Sequence, residues 1–130
     1  MRQTTTVPLD HLIPDLQQSA AIPRSDLILC RFCHAAITSK REELQVSGGH
    51  QHRFVNPSGL QFLIGCFKLA PGCDIAGPAI NEYSWFKGFI WQIARCSDCG
   101  EHLGWFYQSG EANQFFGLIV EKLARYQAQS

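Results

Sequence analysis

Cys96-Ser97-Asp98-Cys99-Gly100-Glu101-His102-Leu103-Gly104-Trp105-Phe106-Tyr107 runs a C-x2-C pair straight into an apolar, aromatic stretch of strand character. A second pair, Cys30-Arg31-Phe32-Cys33, lies upstream with 62 residues between Cys33 and Cys96. Two thiolates on one tight turn supply half of a tetrahedron, and two such turns close a soft-ligand shell around a single ion. One structural Zn2+ held by Cys30, Cys33, Cys96 and Cys99 is therefore expected. A short zinc finger joins its pairs over about 12–20 residues, whereas here the ion must tie the start of the body to its later half. Metal binding of this kind is worth about 10 kcal/mol, comparable with the net stability of a small domain. The metal thus reads as a staple of the fold and not as a catalyst. Disulfides are disfavoured in a reducing compartment, and a thioredoxin-like redox site needs only one C-x2-C. Cys66, inside the apolar run 60–70, and Cys73, after the Pro71-Gly72 turn signal, read as small buried hydrophobes. His50 and His52 lack a carboxylate or a third ligand beside them, so they read as part of a polar loop.

Working outward, 130 residues with 45% apolar side chains suit one globular domain. Eleven basic and eleven acidic side chains leave no net charge, which argues against a nucleic-acid or anionic-lipid partner. No segment approaches the roughly 18–20 uninterrupted apolar residues of a membrane span. The first residues lack the apolar stretch of a signal peptide, so a reducing cytoplasm is the expected location.

Residues 1–25 carry Pro8, Pro14 and Pro23 and read as a flexible N-terminal tail; 26–126 form the body and 127–130 a C-terminal tail. Within the body, 27–29 feed the first cysteine turn. Segments 42–46 and 53–55 flank a Gly-rich loop and are expected to pair as a hairpin. Asn56-Pro57-Ser58-Gly59 is a turn signature, 60–70 has strand character, and 71–78 reads as a loop. Segments 89–95 and 103–107 are two further strands. The apolar pattern from Phe115 to Leu123 fits a strand plus a helical turn, or one amphipathic helix. Short strands, turn residues and no long helix predict a mostly-β domain.

All three tryptophans, Trp85, Trp91 and Trp105, fall within 21 positions, with Tyr83, Phe86, Phe89, Phe106 and Tyr107 among them. Strand alternation puts Trp105 and Tyr107 on one face, and Trp91 with Phe89 and Ile93. Spacing alone leaves two readings open: an ordinary aromatic core, or an aromatic ligand site with glycines beside it for close backbone approach. No set of Ser or Cys with His and an acid is legible, so no catalytic residue is assigned.

The ordered motifs Phe54-Val55-Asn56-Pro57-Ser58-Gly59, Glu82-Tyr83-Ser84-Trp85-Phe86-Lys87-Gly88-Phe89-Ile90-Trp91, Cys96-Ser97-Asp98-Cys99, His102-Leu103-Gly104-Trp105-Phe106-Tyr107 and Gln114-Phe115-Phe116-Gly117-Leu118 together resemble the CULT domain. That is the thalidomide-binding module of the cereblon family, also found as short stand-alone bacterial proteins. The resemblance covers roughly residues 28–123. It implies a β-tent, two antiparallel sheets pinned at one end by a four-cysteine zinc site, with strand favoured over helix at 115–120. It also implies a cage of Trp85, Trp91 and Trp105 floored by Tyr107. A cyclic imide such as glutarimide, a thalidomide-type ring or an imide-bearing peptide end would bind there through backbone of the segment Glu82, Tyr83, Ser84 and Trp85, with Asn56 and Pro57 nearby.

By the same resemblance the segment 46–55 is a mobile lid. Tyr83 stands where cereblon carries His, but the contact implied there is main-chain. Ser58 replaces a His common in the animal domain. No room is left for a ubiquitin-ligase docking region, so an adaptor role is not implied. Two other functions remain to be weighed: a methionine-sulfoxide reductase, whose late-strand cysteine has no match in 103–107 or 115–120, and an aromatic cage for methylated ammonium groups.

Overall fold

A computed structural model of the chain describes residues 22–126, so most of the expected N-terminal tail and the C-terminal 127–130 lie outside the described residues. Among the described residues nine strands form two sheets: β1 Leu27–Cys30, β2 Ala36–Ser39, β3 Gln51–Val55, β4 Gln61–Phe67, β5 Cys73–Ile80, β6 Ile90–Cys96, β7 His102–Ser109, β8 Asn113–Ile119 and β9 Leu123–Arg125. The smaller sheet has the order β2-β1-β9 and the larger β3-β4-β8-β7-β6-β5, and every pairing is antiparallel. Three single 3-10 turns, Arg24–Asp26, Lys40–Glu42 and Val120–Lys122, complete the regular structure of the described residues. The expected mostly-β, two-sheet fold is what the chain adopts.

Strand alternation explains how the larger sheet serves two purposes. Cross-strand partners share a face, so Ala94, Gly104 and Leu118 stand on one side, with Phe106, Phe116 and Phe67. That side packs on Ile28 and Ile37 of the smaller sheet and forms the main core. The opposite side carries Trp91, Ile93, Trp105 and Tyr107, then Phe115 and Cys66, and is covered by Phe86 from the loop between β5 and β6. Gly104 lets β7 lie close on β8, because a Cβ there would run into the Gly117 carbonyl and come within 2.8 Å of the Leu118 Cα.

Two expectations need correction. Segments 42–46 and 53–55 do not pair with each other. β3 pairs instead with β4 across the Asn56–Gly59 turn, where the Gly59 N–H donates to the Asn56 carbonyl at 2.9 Å. The local turn wins because its closure costs little chain entropy and sets Phe54 opposite Phe62. Residues 42–46 contribute only the isolated bridges Glu43↔Phe67 and Val46↔Gly49, the latter closing a tight turn with positive φ at Ser47 and Gly48.

Segment 71–78, expected as a loop, is mostly strand β5. Its Gly77 and Pro78 fall in an irregular stretch of the pairing with β6, between Ala76 and Ile80. An edge strand tolerates both residues at a bulge, so low strand propensity did not prevent pairing. Residues 115–123, left between strand and helix, form β8, one 3-10 turn and the start of β9.

Candidate functional site

The two C-x2-C turns are copies of one local geometry. In the first, the Cys30 N–H donates to Ala35 O and the His34 N–H to Cys30 O, each at 2.8 Å; in the second, Cys96 N–H bonds Glu101 O and Gly100 N–H bonds Cys96 O at the same 2.8 Å. Both turns reverse on a left-handed residue directly after the second cysteine, His34 at φ 66° and Gly100 at φ 82°. Each therefore aims its paired thiols the same way, and the end of β1 meets the end of β6.

Cys30 Sγ lies 3.7 Å from Cys99 Sγ and Cys33 Sγ 3.6 Å from Cys96 Sγ. All four ligand atoms fall within 4.8 Å of one another. A tetrahedral ion with Zn–S bonds of about 2.3 Å needs sulfur–sulfur edges of about 3.8 Å, so the cluster is already the right size for one ion. The thiols also share their protons unequally. Burial alone would raise Cys96, but N–H groups of Cys99 and Asp98 and the thiols of Cys33 and Cys99 bring it below the ordinary range. The Ala35 amide pulls Cys33 down, yet burial and the neighbouring thiols carry it up to about 12. Metal binding must displace those protons.

The other cysteines stay outside the cluster. Cys66 is fully buried beneath the aromatic face, and burial pushes its thiol up to about 12. Cys73 is half-buried beside Cys96 and is also pushed up to about 12, by burial first. His50 contacts the Leu44 carbonyl and Glu43, while His52 bonds Gly49 O and stacks on Phe54. Among the described residues the four-cysteine group is the one cluster sized for a metal.

On the opposite side of the larger sheet lies a hollow of about 270 Å³, lined by Asn56, Pro57, Tyr83, Trp85, Trp91, Trp105 and Tyr107. Register builds two of its walls: Trp91 is paired with Tyr107, and Ile93 with Trp105, so all four share a face. Trp85 enters from the loop, lying edge-to-face with Trp105 at 4.9 Å. Its Nε1–H donates to Val55 O at 3.2 Å, and the Trp91 Nε1–H donates to Glu82 O at 2.8 Å. Polar edges are thereby tied to main chain while the ring faces border the hollow. Tyr107 is 2% exposed, stacked on Phe115 at 5.1 Å and edge-on to Phe86 at 4.9 Å, and burial raises its phenol. Among the described residues, none that lines the hollow is an acidic or basic side chain.

Of the ligand residues expected from the sequence, Glu82 and Ser84 do not line this hollow. Glu82 offers its carbonyl to Trp91, and Ser84 ties down the loop, its Oγ–H donating to Phe86 O at 3.0 Å. Ser84 borders instead a shallower groove with Val55, Asn56, Pro57, Tyr83 and Trp85. Tyr83 holds a positive φ of 60° and is 75% exposed. A non-glycine residue in that region is strained by about 1–3 kcal/mol and persists where the surroundings impose it.

Sequence reasoning missed the ring layer behind the cage. Phe54 stacks on Trp85 at 4.9 Å and 7°, Phe62 meets the edge of Trp105 at 5.8 Å, and His102 stands perpendicular to Trp105 at 5.0 Å. The signal was present in the alternation His52, Phe54 and Phe62, Ile64 either side of the Asn-Pro-Ser-Gly turn. It needed β3 and β4 to be paired before it could be read.

No protein-family model matches the chain. Curated relatives do: protein cereblon of Gallus gallus, 33% identical over 102 residues covering 74% of this chain, and that of Xenopus tropicalis, 36% identical over 102 residues with the same coverage. Protein cereblon of Danio rerio is 31% identical over 106 residues and 77% of this chain. The matches take in 23–25% of those relatives, so the chain spans about a quarter of their length. With two antiparallel sheets, a four-cysteine cluster and these relatives, the chain belongs to the cereblon-type CULT-domain family.

Proposed function

We propose that the chain is a binding module, not an enzyme, whose tryptophan cage takes an uncharged cyclic imide and whose cysteine cluster holds one structural Zn2+. The imide is glutarimide, a thalidomide-type ring, or such a ring at a peptide end. The observation that carries this reading is the neutral hollow walled by Trp85, Trp91 and Trp105 on a floor of Tyr107. Indole faces bury the apolar carbons of a flat ring, while its N–H and carbonyls need fixed partners such as the loop backbone at Tyr83 and Trp85. The strain at Tyr83 fits a main chain held for that purpose. A neutral ring requires no ion to be desolvated.

A quaternary ammonium ligand would favour a nearby carboxylate, and among the described residues none borders the hollow. A reducing compartment, the cytoplasm, suits six free cysteines.

Calorimetric titration of the zinc-loaded chain with glutarimide tests the reading. One-to-one saturable binding is expected. Trp85→Ala and Trp105→Ala should each weaken it by about 2 kcal/mol or more, roughly thirtyfold, as for a desolvated aromatic anchor. Folded protein that ignores glutarimide, or that prefers trimethyl-lysine to it, would overturn the proposal.

A further inference from the structure

The metal cluster has a fifth cysteine at its back. Cys73 on β5 is the direct cross-strand partner of Cys96 on β6. Their amides do not bond each other: the Cys73 N–H donates to Ala70 O at 3.0 Å and the Cys96 N–H to Glu101 O at 2.8 Å. One position out, the Ser97 N–H donates to Gly72 O at 2.9 Å. That pattern marks Cys73 and Cys96 as a non-hydrogen-bonded antiparallel pair, the closer of the two kinds, with Cα atoms about 4.5 Å apart and side chains on one face. Disulfides span Cα separations of about 4.4–6.8 Å, so these two thiols can join without moving the sheet. Both pack with Cys30 in the same core cluster, and Cys99 at the exposed end of the turn leaves the metal within reach of a small oxidant.

We infer that Cys73 is a resolving cysteine that makes metal release from this cluster a reversible, peroxide-sensitive event. The inference rests on the metal-binding reading above. The Cys96 thiolate attacks hydrogen peroxide, forming an S–O bond as the O–O bond breaks, and the departing hydroxide takes a proton from solvent and leaves as water. Cys73 then attacks the Cys96 sulfenic acid, an S–S bond forms as the S–O bond breaks, and a second water carries off the Cys73 proton. Two thiols are oxidised and one peroxide is reduced. The ion, left with Cys30, Cys33 and Cys99, is lost. Without Cys73, a sulfenic acid at Cys96 is left to the metal-ligand thiols beside it, Cys33 at 3.6 Å first, which consumes a second ligand, or to irreversible oxidation to sulfinic acid.

The full chain, its zinc content measured first, is treated with stoichiometric hydrogen peroxide and mapped without reduction. Trypsin places Cys73 in peptide 69–87 and Cys96 with Cys99 in peptide 96–122, and cleavage before Asp98 separates the last two. The expected product links Cys73 to Cys96, forms in step with zinc release, and regains zinc after dithiothreitol and added metal. In Cys73→Ala the link is absent and the recovered zinc capacity falls severalfold. Peroxide-treated protein with Cys73 still fully alkylatable and Cys96 joined to Cys99 overturns the inference, as does full recovery in Cys73→Ala. Mapping reads the bond whether or not zinc is aboard. Failure of the metal reading therefore appears as protein without zinc before peroxide is added, and failure of this one as an unlinked Cys73.

Discussion

Gly117→Ala tests whether the aromatic face is a working hollow or a filled core. Gly117 lies between Trp105 on β7 and Cys66 on β4, on the cage side of the sheet. A Cβ there would sit 2.9 Å from Tyr107 Cε2 and 3.0 Å from Ile64 Cγ2, against about 3.5–4.0 Å for a comfortable carbon–carbon contact. Tyr107 must therefore shift by roughly half an ångström to one ångström. Phe115 stacks on its ring and Phe86 meets it edge-on, so the direction with room is the hollow it floors.

Replacing a strand glycine by alanine ordinarily gains about 0.5–1 kcal/mol, while overpacking costs about 1–3 kcal/mol. A net loss of about 1–2 kcal/mol is expected, read as a fall in melting temperature of roughly 4–8 °C per kcal/mol for a domain of this size. The affinity for glutarimide should fall at least tenfold, about 1.4 kcal/mol, in protein that still holds its metal. Calorimetry and thermal melting on the same sample separate the two effects. A variant that melts higher than the parent and binds glutarimide equally well would refute the reasoning.

Removing the proposed metal with a chelator should abolish the cooperative melt of the whole body and not only loosen one turn, since an ion held by the four cysteines would join β1 to β6; an unchanged melting curve would count against a staple. Trp91→Phe keeps an aromatic wall but deletes the 2.8 Å bond to Glu82 O, so about 0.5–1.5 kcal/mol of loop anchoring is lost and glutarimide should dissociate faster in stopped-flow measurements. Burial holds the His102 imidazole below its usual pKa, with Lys122 and Arg95 acting in the same direction. The unfolded chain thus binds the proton more readily: stability is full above about pH 6.5 and declines as pH falls towards the folded value. Melting temperatures across that range should slope less in His102→Gln. Ser39 buries its hydroxyl without a partner among the described residues, so Ser39→Ala should leave the melting temperature unchanged or raise it slightly.

Sequence alone determined the elements whose chemistry is local or whose spacing admits few solutions. Four cysteines in two identical short turns can satisfy one tetrahedral ion whatever surrounds them, and their separation already required two distant parts of the chain to meet. Period-two alternation placed Trp105 with Tyr107 and Trp91 with Ile93, because side chains on a strand have only two faces to choose between. Tertiary structure decided what alternation leaves open: which strands pair, and which face meets the smaller sheet. Pairing β3 with β4 brought Phe54 and Phe62 behind the cage, and pairing β5 with β6 turned a Gly- and Pro-containing segment into an edge strand with Cys73 beside Cys96. These outcomes depend on contacts between residues far apart in the chain. Their free energy is shared across a sheet and is not written in any single segment.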